Sequence, residues 1–237
     1  MYPKYLNMEK QFDTSSNIHY HLVGEEDVNF LREICPGIQA HFLHHPHYQV
    51  AKPAKVISFS SPKIKVLFAG QYNLYMQQDA DMLIDCLIKT KNLSELKEHY
   101  VYTFLGKGWD QHVEKLNNAG YEAHYIKFAP NYIEEVCKHD IQITPICIGT
   151  GTKGKVLDAI ANGLLVIGSR YALENIAVKH NISCLQYNQV EDIVDLLKEI
   201  CLKSSVYEAM AERGRKAILS QHNNSIVADK LFSLFQN

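Results

Sequence analysis

This sequence lacks the features that mark several common classes of protein. No apolar run reaches the roughly 18 to 20 residues that a membrane-spanning helix needs, and the N-terminal segment MYPKYLNMEKQFD has no apolar core of a secretory signal. The 24 basic and 26 acidic side chains nearly cancel, giving a formal net charge of −2, so no broadly basic surface is expected for nucleic acid. We expect a cytoplasmic chain without a nucleic-acid partner. A peripheral position on the inner face of a membrane stays open.

Paired cysteines are also missing. None of the six cysteines stands in a C-x-x-C pair, and several lie in apolar stretches, such as Cys86 in MLIDCLI and Cys147 in ITPICIG. We interpret them as small buried side chains in a reducing compartment rather than as a disulfide framework. The hydrophobic fraction of 46% and the charged fraction of 21% are typical of a soluble globular protein with a sizeable core.

Histidines, in contrast, crowd one short segment, AHFLHHPHYQV, which contains His41, His44, His45 and His47. Imidazole is a good zinc ligand, but no cysteine or carboxylate follows at a fitting spacing. We therefore favour a strand at an interdomain hinge and expect no metal.

The N-terminal part, to about Val50, has the pattern strand, helix, strand. NIHYHLV and IQAHFLHHP are short and apolar, and the helix GEEDVNFLREICPG between them has an acidic first turn that suits the helix dipole. The stretch 51–63 contains Pro53, Pro62 and several serines, which favours a linker.

From Ile64 onward, apolar strands alternate with amphipathic helices. The predicted strands include IKVLFAG, YVYTFLGKG, YEAHYIKF, IQITPI, LLVIGS and ISCLQY, and the predicted helices include DADMLIDCLIKT, KGKVLDAIANG and a short one at ENIAVKHN. Near-continuous apolar strands separated by helices indicate a parallel sheet covered on both faces. The fold class is therefore α/β, a doubly wound, Rossmann-like domain.

One segment carries most of the functional information: ITPICIGTGTKGKVLDAIANGLLVIGS, from Ile141 to Ser169. A strand enters a loop rich in glycine, and a helix begins beside two lysines. Glycines allow close approach of the backbone to a ligand, and free N–H groups at a helix start attract phosphate. A carboxylate one turn later, Asp158, suits ribose hydroxyls. The segment thus predicts a site for a nucleoside diphosphate. The alternative is a glycine-rich turn with solvated lysines, since the segment is neither a Walker loop nor a G-x-G-x-x-G fingerprint.

The same segment resembles the donor-site signature of retaining GT-B glycosyltransferases of family 4, or group 1. Their pattern K-x-x-E-A-x-A-x-G-x-P-V-V corresponds to KVLDAIANGLLVI, from Lys155 to Ile167. FAG, ending at Gly70, resembles the first donor-domain strand, and LGKG resembles the turn after the second. The resemblance implies these donor-binding residues: Gly70, Gly106, Lys107, Thr150, Gly151, Thr152, Lys153, Lys155 and Asp158.

The sequence departs from the family pattern at several positions. Asp158 replaces the usual second glutamate, Thr150 stands where the first would be, and the loop after Gly70 lacks the common arginine or lysine. Residues 1–58 resemble only the last part of an N-terminal acceptor domain plus the linker, whereas residues 59–237 resemble the complete nucleotide-sugar-binding domain. We therefore expect self-association, or a separate partner that supplies the N-terminal domain.

The resemblance implies an enzyme that transfers a hexose from a nucleotide sugar to a glycan or lipid-linked acceptor, with retention and without a metal or cofactor. It leaves the catalytic residues unassigned. One alternative is a truncated, non-catalytic chain that binds a nucleotide sugar and needs a partner for the acceptor side. Another is a nucleotide-sugar epimerase of similar architecture, which a catalytic histidine or glutamate from the N-terminal half would favour.

Overall fold

The computed structural model describes residues 2–46, 48–52, 55–90, 94–233 and 235. Its first part consists of helix α1 (Tyr2–Glu9), strand β1 (His19–Leu22), helix α2 (Glu25–Ile34) and strand β2 (Gln39–Phe42). The two strands pair in parallel, and a small core packs α2 against them through Val28 and Leu31. The predicted strand, helix and strand are confirmed. Helix α1 was not predicted.

The remainder contains one six-stranded parallel sheet in the order β5-β4-β3-β6-β7-β8. The strands are β3 (Ile64–Ala69), β4 (Tyr100–Leu105), β5 (Glu122–Ile126), β6 (Ile141–Thr144), β7 (Leu165–Gly168) and β8 (Leu185–Gln186). From β3 the chain first builds outward through β4 and β5, and then returns to the other side of β3 for β6, β7 and β8. The doubly wound α/β fold predicted from the sequence is confirmed.

Helices cover both faces of this sheet. They are α3 (Gln77–Lys89), α4 (Ser94–His99), α5 (Asp110–Asn118), α6 (Tyr132–Val136), α7 (Gly154–Ala161), α8 (Arg170–Leu173), α9 (Asp192–Leu202), α10 (Ser204–Gln221) and α11 (Asn224–Ser233). Side chains of β3 alternate between the two faces: Val66 and Phe68 lie in the core that includes α3, whereas Leu67 and Ala69 lie in the core that includes α7. This double burial explains why the central strands are apolar throughout.

The prediction of a short helix at ENIAVKHN is wrong. Helix α8 begins earlier, where the Ser169 hydroxyl accepts a hydrogen bond from the Ala172 N–H, and it ends at Leu173. Asn175 and Asn181 both have positive φ, 59° and 60°, a left-handed conformation that asparagine tolerates but that a right-handed helix does not contain. The segment therefore forms turns.

The stretch predicted as a linker packs against the large sheet. Its described residues form neither helix nor strand, yet Ile57 and Phe59 are buried in the same core as β3. The Lys55 ammonium forms an ion pair with Asp140 at 2.8 Å, and Asp140 also accepts a hydrogen bond from the Lys65 N–H. The division of the chain into residues 1–58 and 59–237 stays a prediction.

Histidine contacts join the end of β2 to the C-terminal helices. The His222 Nε2 accepts the Ala177 N–H at 3.1 Å, so its proton lies on Nδ1, which donates to the His45 carbonyl at 2.8 Å. Burial lowers the pKa of His222 to about 4, which keeps the ring neutral. The His44 ring packs on His222 with centroids 4.4 Å apart. Within the small sheet, His41 Nε2 of β2 lies 2.9 Å from His19 Nδ1 of β1.

The cysteines were predicted to be small buried side chains, but only Cys35 and Cys184 are buried and the other four are partly buried. All six cysteines are free thiols. Within the described ranges, no group of three histidine, cysteine or acidic side chains is arranged to hold a metal ion, and His47 lies outside those ranges. Among the helices of the described residues, none combines the length and apolar character needed to cross a bilayer.

Candidate functional site

A cavity of about 730 Å³ opens at the carboxyl ends of β3 and β6. These neighbouring strands mark the point at which the strand order reverses, and open α/β sheets bind ligands in the crevice there. One wall is the loop after β3, with Gly70, Asn73 and Met76. The other is the loop after β6 together with the first turn of α7. The fold thus places the glycine-rich loop after β6 next to the carboxyl end of β3, the strand that resembles the first strand of a donor domain.

Glycine is required where the loops after β3 and β4 meet. A Cβ on Gly106, whose φ is +135°, would lie 2.2 Å from the Gly70 carbonyl oxygen. That oxygen also accepts a hydrogen bond from the indole N–H of Trp109 at 2.8 Å. At Gly70, with φ +137°, a Cβ would stand 3.8 Å from the Lys155 ammonium. The lysine therefore reaches into the cavity beside a backbone that carries no side chain.

The loop after β6 brings backbone groups to the cavity. Gly149 and Gly151 have φ of +119° and +80°. Helix α7 begins after Lys153, whose carbonyl accepts the Val156 and Leu157 N–H groups. The N–H groups of the first helical residues precede these bonds and so have no acceptor within the helix. Because the first turn of α7 lines the cavity, its positive end favours an anion there.

The two lysines of the motif have different surroundings. Lys153 donates from its ammonium to the carbonyls of Thr150 (3.0 Å) and Gly151, and it lies 4.0 Å from a Glu174 carboxylate oxygen. It therefore braces the loop. The Lys155 ammonium lies between Gly70 and the Tyr132 ring, 5.8 Å from the ring centroid. Partial burial lowers the pKa of both lysines, because a confined ammonium loses hydration that a bound anion can replace.

Asp158 is placed one turn deeper on α7 than Lys155. It is 9% exposed, and its Oδ1 accepts a hydrogen bond from the Gln49 N–H at 2.8 Å. Its negative charge favours the protonated form of Lys155. Burial is the larger cause of a raised pKa at Tyr132, and the charge of Asp158 raises that pKa further. Asp158 is thus a neighbour of the cavity rather than part of its wall.

The structure brings together only part of the predicted donor-binding set. Five of its members line the cavity: Gly70, Thr150, Thr152, Lys153 and Lys155. Gly106, Lys107, Gly151 and Asp158 stand outside that lining. The Lys107 side chain is exposed, and its carbonyl accepts the Tyr72 N–H.

Sequence reasoning missed the apolar residues that complete the cavity. Met76, Ile146 and Ile148 line it, and so does Tyr75. The Tyr75 carbonyl accepts the Cys147 N–H at 2.8 Å, which ties the two loops together. The only available signal was their position directly after β3 and β6, because their residue types are common in any core.

A second cavity, of about 580 Å³, lies between the start of α2, the end of β2 and α8. Three carboxylates line it, those of Glu25, Glu26 and Glu174, together with the guanidinium of Arg170. Since like charges repel, this acidic lining disfavours a diphosphate. The first cavity is therefore the candidate site for an anionic ligand.

Solved structures with the same fold include several glycosyltransferases. HepE of Anabaena, in complex with UDP, matches with a TM-score of 0.73 at 9% identity over 97% of this chain and 65% of that protein. A glycosyltransferase of Rickettsia africae matches with a TM-score of 0.75 at 12% identity over 99% of this chain and 68% of that one. Sucrose-phosphate synthase of Thermosynechococcus elongatus matches with a TM-score of 0.69 at 12% identity over 99% of this chain and 61% of that protein.

At such identities the likeness shows the fold alone, and the chain spans about two thirds of the length of HepE. No curated protein sequence matches it significantly. Family assignment therefore depends on a sequence model. Residues 63–203, which carry the whole six-stranded sheet and its cavity, match the model described as glycosyl transferases group 1, and the chain belongs to this family.

Proposed function

We propose that the chain binds a nucleotide sugar in the first cavity and provides the donor side of a hexosyl transfer. The observation that carries this proposal is the meeting of three features in one cavity: the Lys155 ammonium, the start of α7 and the backbone of Gly70 without a side chain. Together they provide positive charge and unpaired N–H groups for a diphosphate. The complex of HepE with UDP supports this ligand class.

The proposed chemistry follows from that placement. The diphosphate lies at the start of α7 beside Lys155, and the ribose extends toward Asp158. In a retaining transfer, the bond between the anomeric carbon and the diphosphate oxygen breaks. The acceptor oxygen bonds to the same face of the sugar and passes its proton to the leaving diphosphate. Lys155 and the helix start stabilise the negative charge that develops on the leaving diphosphate.

The acceptor, a glycan or a lipid-linked sugar, needs a wall opposite the donor. The small β1–β2 sheet has two strands of four residues each, and a sheet of that size provides little surface of its own. This favours the alternative of a nucleotide-sugar-binding chain that acts with a partner domain. A transfer assay on the purified monomer distinguishes a chain that transfers the sugar alone from one that needs a partner domain. Efficient turnover by the monomer would show that no partner domain is needed.

Nucleoside diphosphates are expected to raise the melting temperature of the chain. Ligand at about 100 times its dissociation constant adds about 2.7 kcal/mol to the free energy of unfolding, which corresponds to roughly 5 to 10 °C for a chain of this size. Differential scanning fluorimetry with millimolar UDP, GDP and ADP measures the shift. The matching nucleosides serve as controls, because they lack the diphosphate that Lys155 and α7 bind.

The absence of a shift with all three diphosphates would refute the donor site. Equal shifts with a diphosphate and its nucleoside would refute the phosphate contact at α7.

A further inference from the structure

Asn162, at the end of α7, holds a distant segment of the chain in place. Its Oδ1 accepts the Ala51 N–H at 2.9 Å, and its Nδ2 donates to the Gln49 carbonyl at 2.7 Å. The same Nδ2 lies 2.8 Å from the Asp158 carbonyl. The side chain is 2% exposed, so its bond to the Asp158 carbonyl is buried, whereas its bonds to residues 49 and 51 are partly buried.

Asp158 binds the same segment from the preceding turn of the helix. Residues four apart share one face of a helix, and the Asp158 carboxylate accepts the Gln49 N–H at 2.8 Å. Three backbone groups of this segment, the Gln49 N–H, the Gln49 carbonyl and the Ala51 N–H, are therefore held by one face of α7. This backbone in turn restrains the Asp158 carboxylate, because the Gln49 N–H donates a hydrogen bond to one of its oxygens.

We infer that Asn162 is a positioning residue of the donor site, which acts by holding residues 49–51 so that the Asp158 carboxylate faces the nucleoside half of the ligand. The inference rests on the proposed function. Asn162 lies two turns from Lys155 and outside the cavity lining, so it touches no phosphate. Its effect reaches the ligand only through Gln49 and Asp158.

Asn117 provides a comparison elsewhere in the fold that is matched in its hydrogen bonds, although its side chain is exposed. It makes the same pair of bonds to backbone, donating to the Ala123 carbonyl and accepting the Ala123 N–H, both at 3.0 Å. It fastens α5 to β5 and lies outside the cavity lining. An asparagine that only braces the fold is therefore expected to behave like Asn117.

The test compares two ligands in three proteins. Isothermal titration measures the affinities of pyrophosphate and of the most stabilising of UDP, GDP and ADP for the wild type, Asn162→Ala and Asn117→Ala. We expect Asn162→Ala to lower the affinity for the nucleoside diphosphate at least about tenfold, the lower end of the effect of a hydrogen bond to a charged group. The affinity for pyrophosphate is expected to change less than about twofold. Asn117→Ala is expected to change neither affinity.

Each result decides a different point. A wild type that binds no nucleoside diphosphate overturns the proposed function, and the inference with it. If the wild type binds the nucleoside diphosphate but Asn162→Ala lowers the affinities for both ligands equally, or lowers neither, the inference alone is overturned.

Amide exchange in the wild type covers the case in which Asn162→Ala does not fold. The nucleoside diphosphate is expected to slow hydrogen exchange at the Gln49 and Ala51 amides, because a ribose bound at Asp158 stabilises the carboxylate that holds them. Pyrophosphate is expected to leave both rates unchanged. Equal slowing by the two ligands, or none by either, overturns the inference.

Discussion

Gly106→Ala is expected to lower the free energy of unfolding by about 4 kcal/mol, combining a strained backbone with overpacking. The new Cβ would stand 2.2 Å from the Gly70 carbonyl oxygen and 2.5 Å from its carbon. Both are backbone atoms, so the loops after β3 and β4 must separate. The Gly70 carbonyl also holds the Trp109 indole, and its displacement disturbs that buried ring. Urea unfolding followed by circular dichroism measures the loss.

Gly37→Ala is the control for this substitution. Gly37 also has positive φ, +91°, but no atom lies within 4 Å of its added Cβ. It therefore carries only the backbone cost, about 1 to 2 kcal/mol. If Gly106→Ala is no more destabilising than Gly37→Ala, the close approach of the two loops is wrong.

Lys155→Ala is expected to weaken nucleoside diphosphate binding by about 1.5 to 3 kcal/mol, the range for hydrogen bonds to charged groups. This corresponds to roughly 10- to 150-fold in dissociation constant. The reason is the position of its ammonium, between Gly70 and Tyr132 at the cavity wall. Isothermal titration calorimetry measures the change, and urea unfolding confirms that the variant is folded.

Lys216→Ala matches this variant in residue type and charge. Lys216 lies on α10, its side chain is 74% exposed and it pairs only loosely with Glu212, at 3.6 Å. It is expected to bind the nucleoside diphosphate as the wild type does. Equal losses in the two variants would attribute the effect of Lys155 to net charge alone.

Most of the sheet could be predicted from the sequence, because each central strand is buried on both faces and is therefore a continuous apolar run. Glycines such as Gly70 and Gly163 marked the ends of elements. Short elements were less visible. Helices α1 and α4 have 8 and 6 residues, too few for a clear periodicity. At 174–181 the residue types allow a helix, and the left-handed asparagines exclude it.

The candidate site could be predicted where its residues follow one another in the chain. Thr150 to Lys155 form one loop and helix start, so the order of residue types in this segment predicted positive charge and free N–H groups in one place. Contacts between distant segments left no such signal. Asn162 and Gln49 are separated by 113 positions, and Trp109 reaches Gly70 from the next strand–helix unit. Asp158 was predicted as a ribose ligand, and its bond to Gln49 became visible only in the folded chain.

The central claim is that a diphosphate binds at the start of α7, and amide chemical-shift mapping tests it most directly. A nucleoside diphosphate titrated into the isotope-labelled chain is expected to shift the amide resonances of residues 149–156 and of Gly70 more than those of the rest of the chain. Shifts concentrated instead around the acidic second cavity, at Glu25, Arg170 and Glu174, or shifts absent throughout the chain at millimolar ligand, would contradict it.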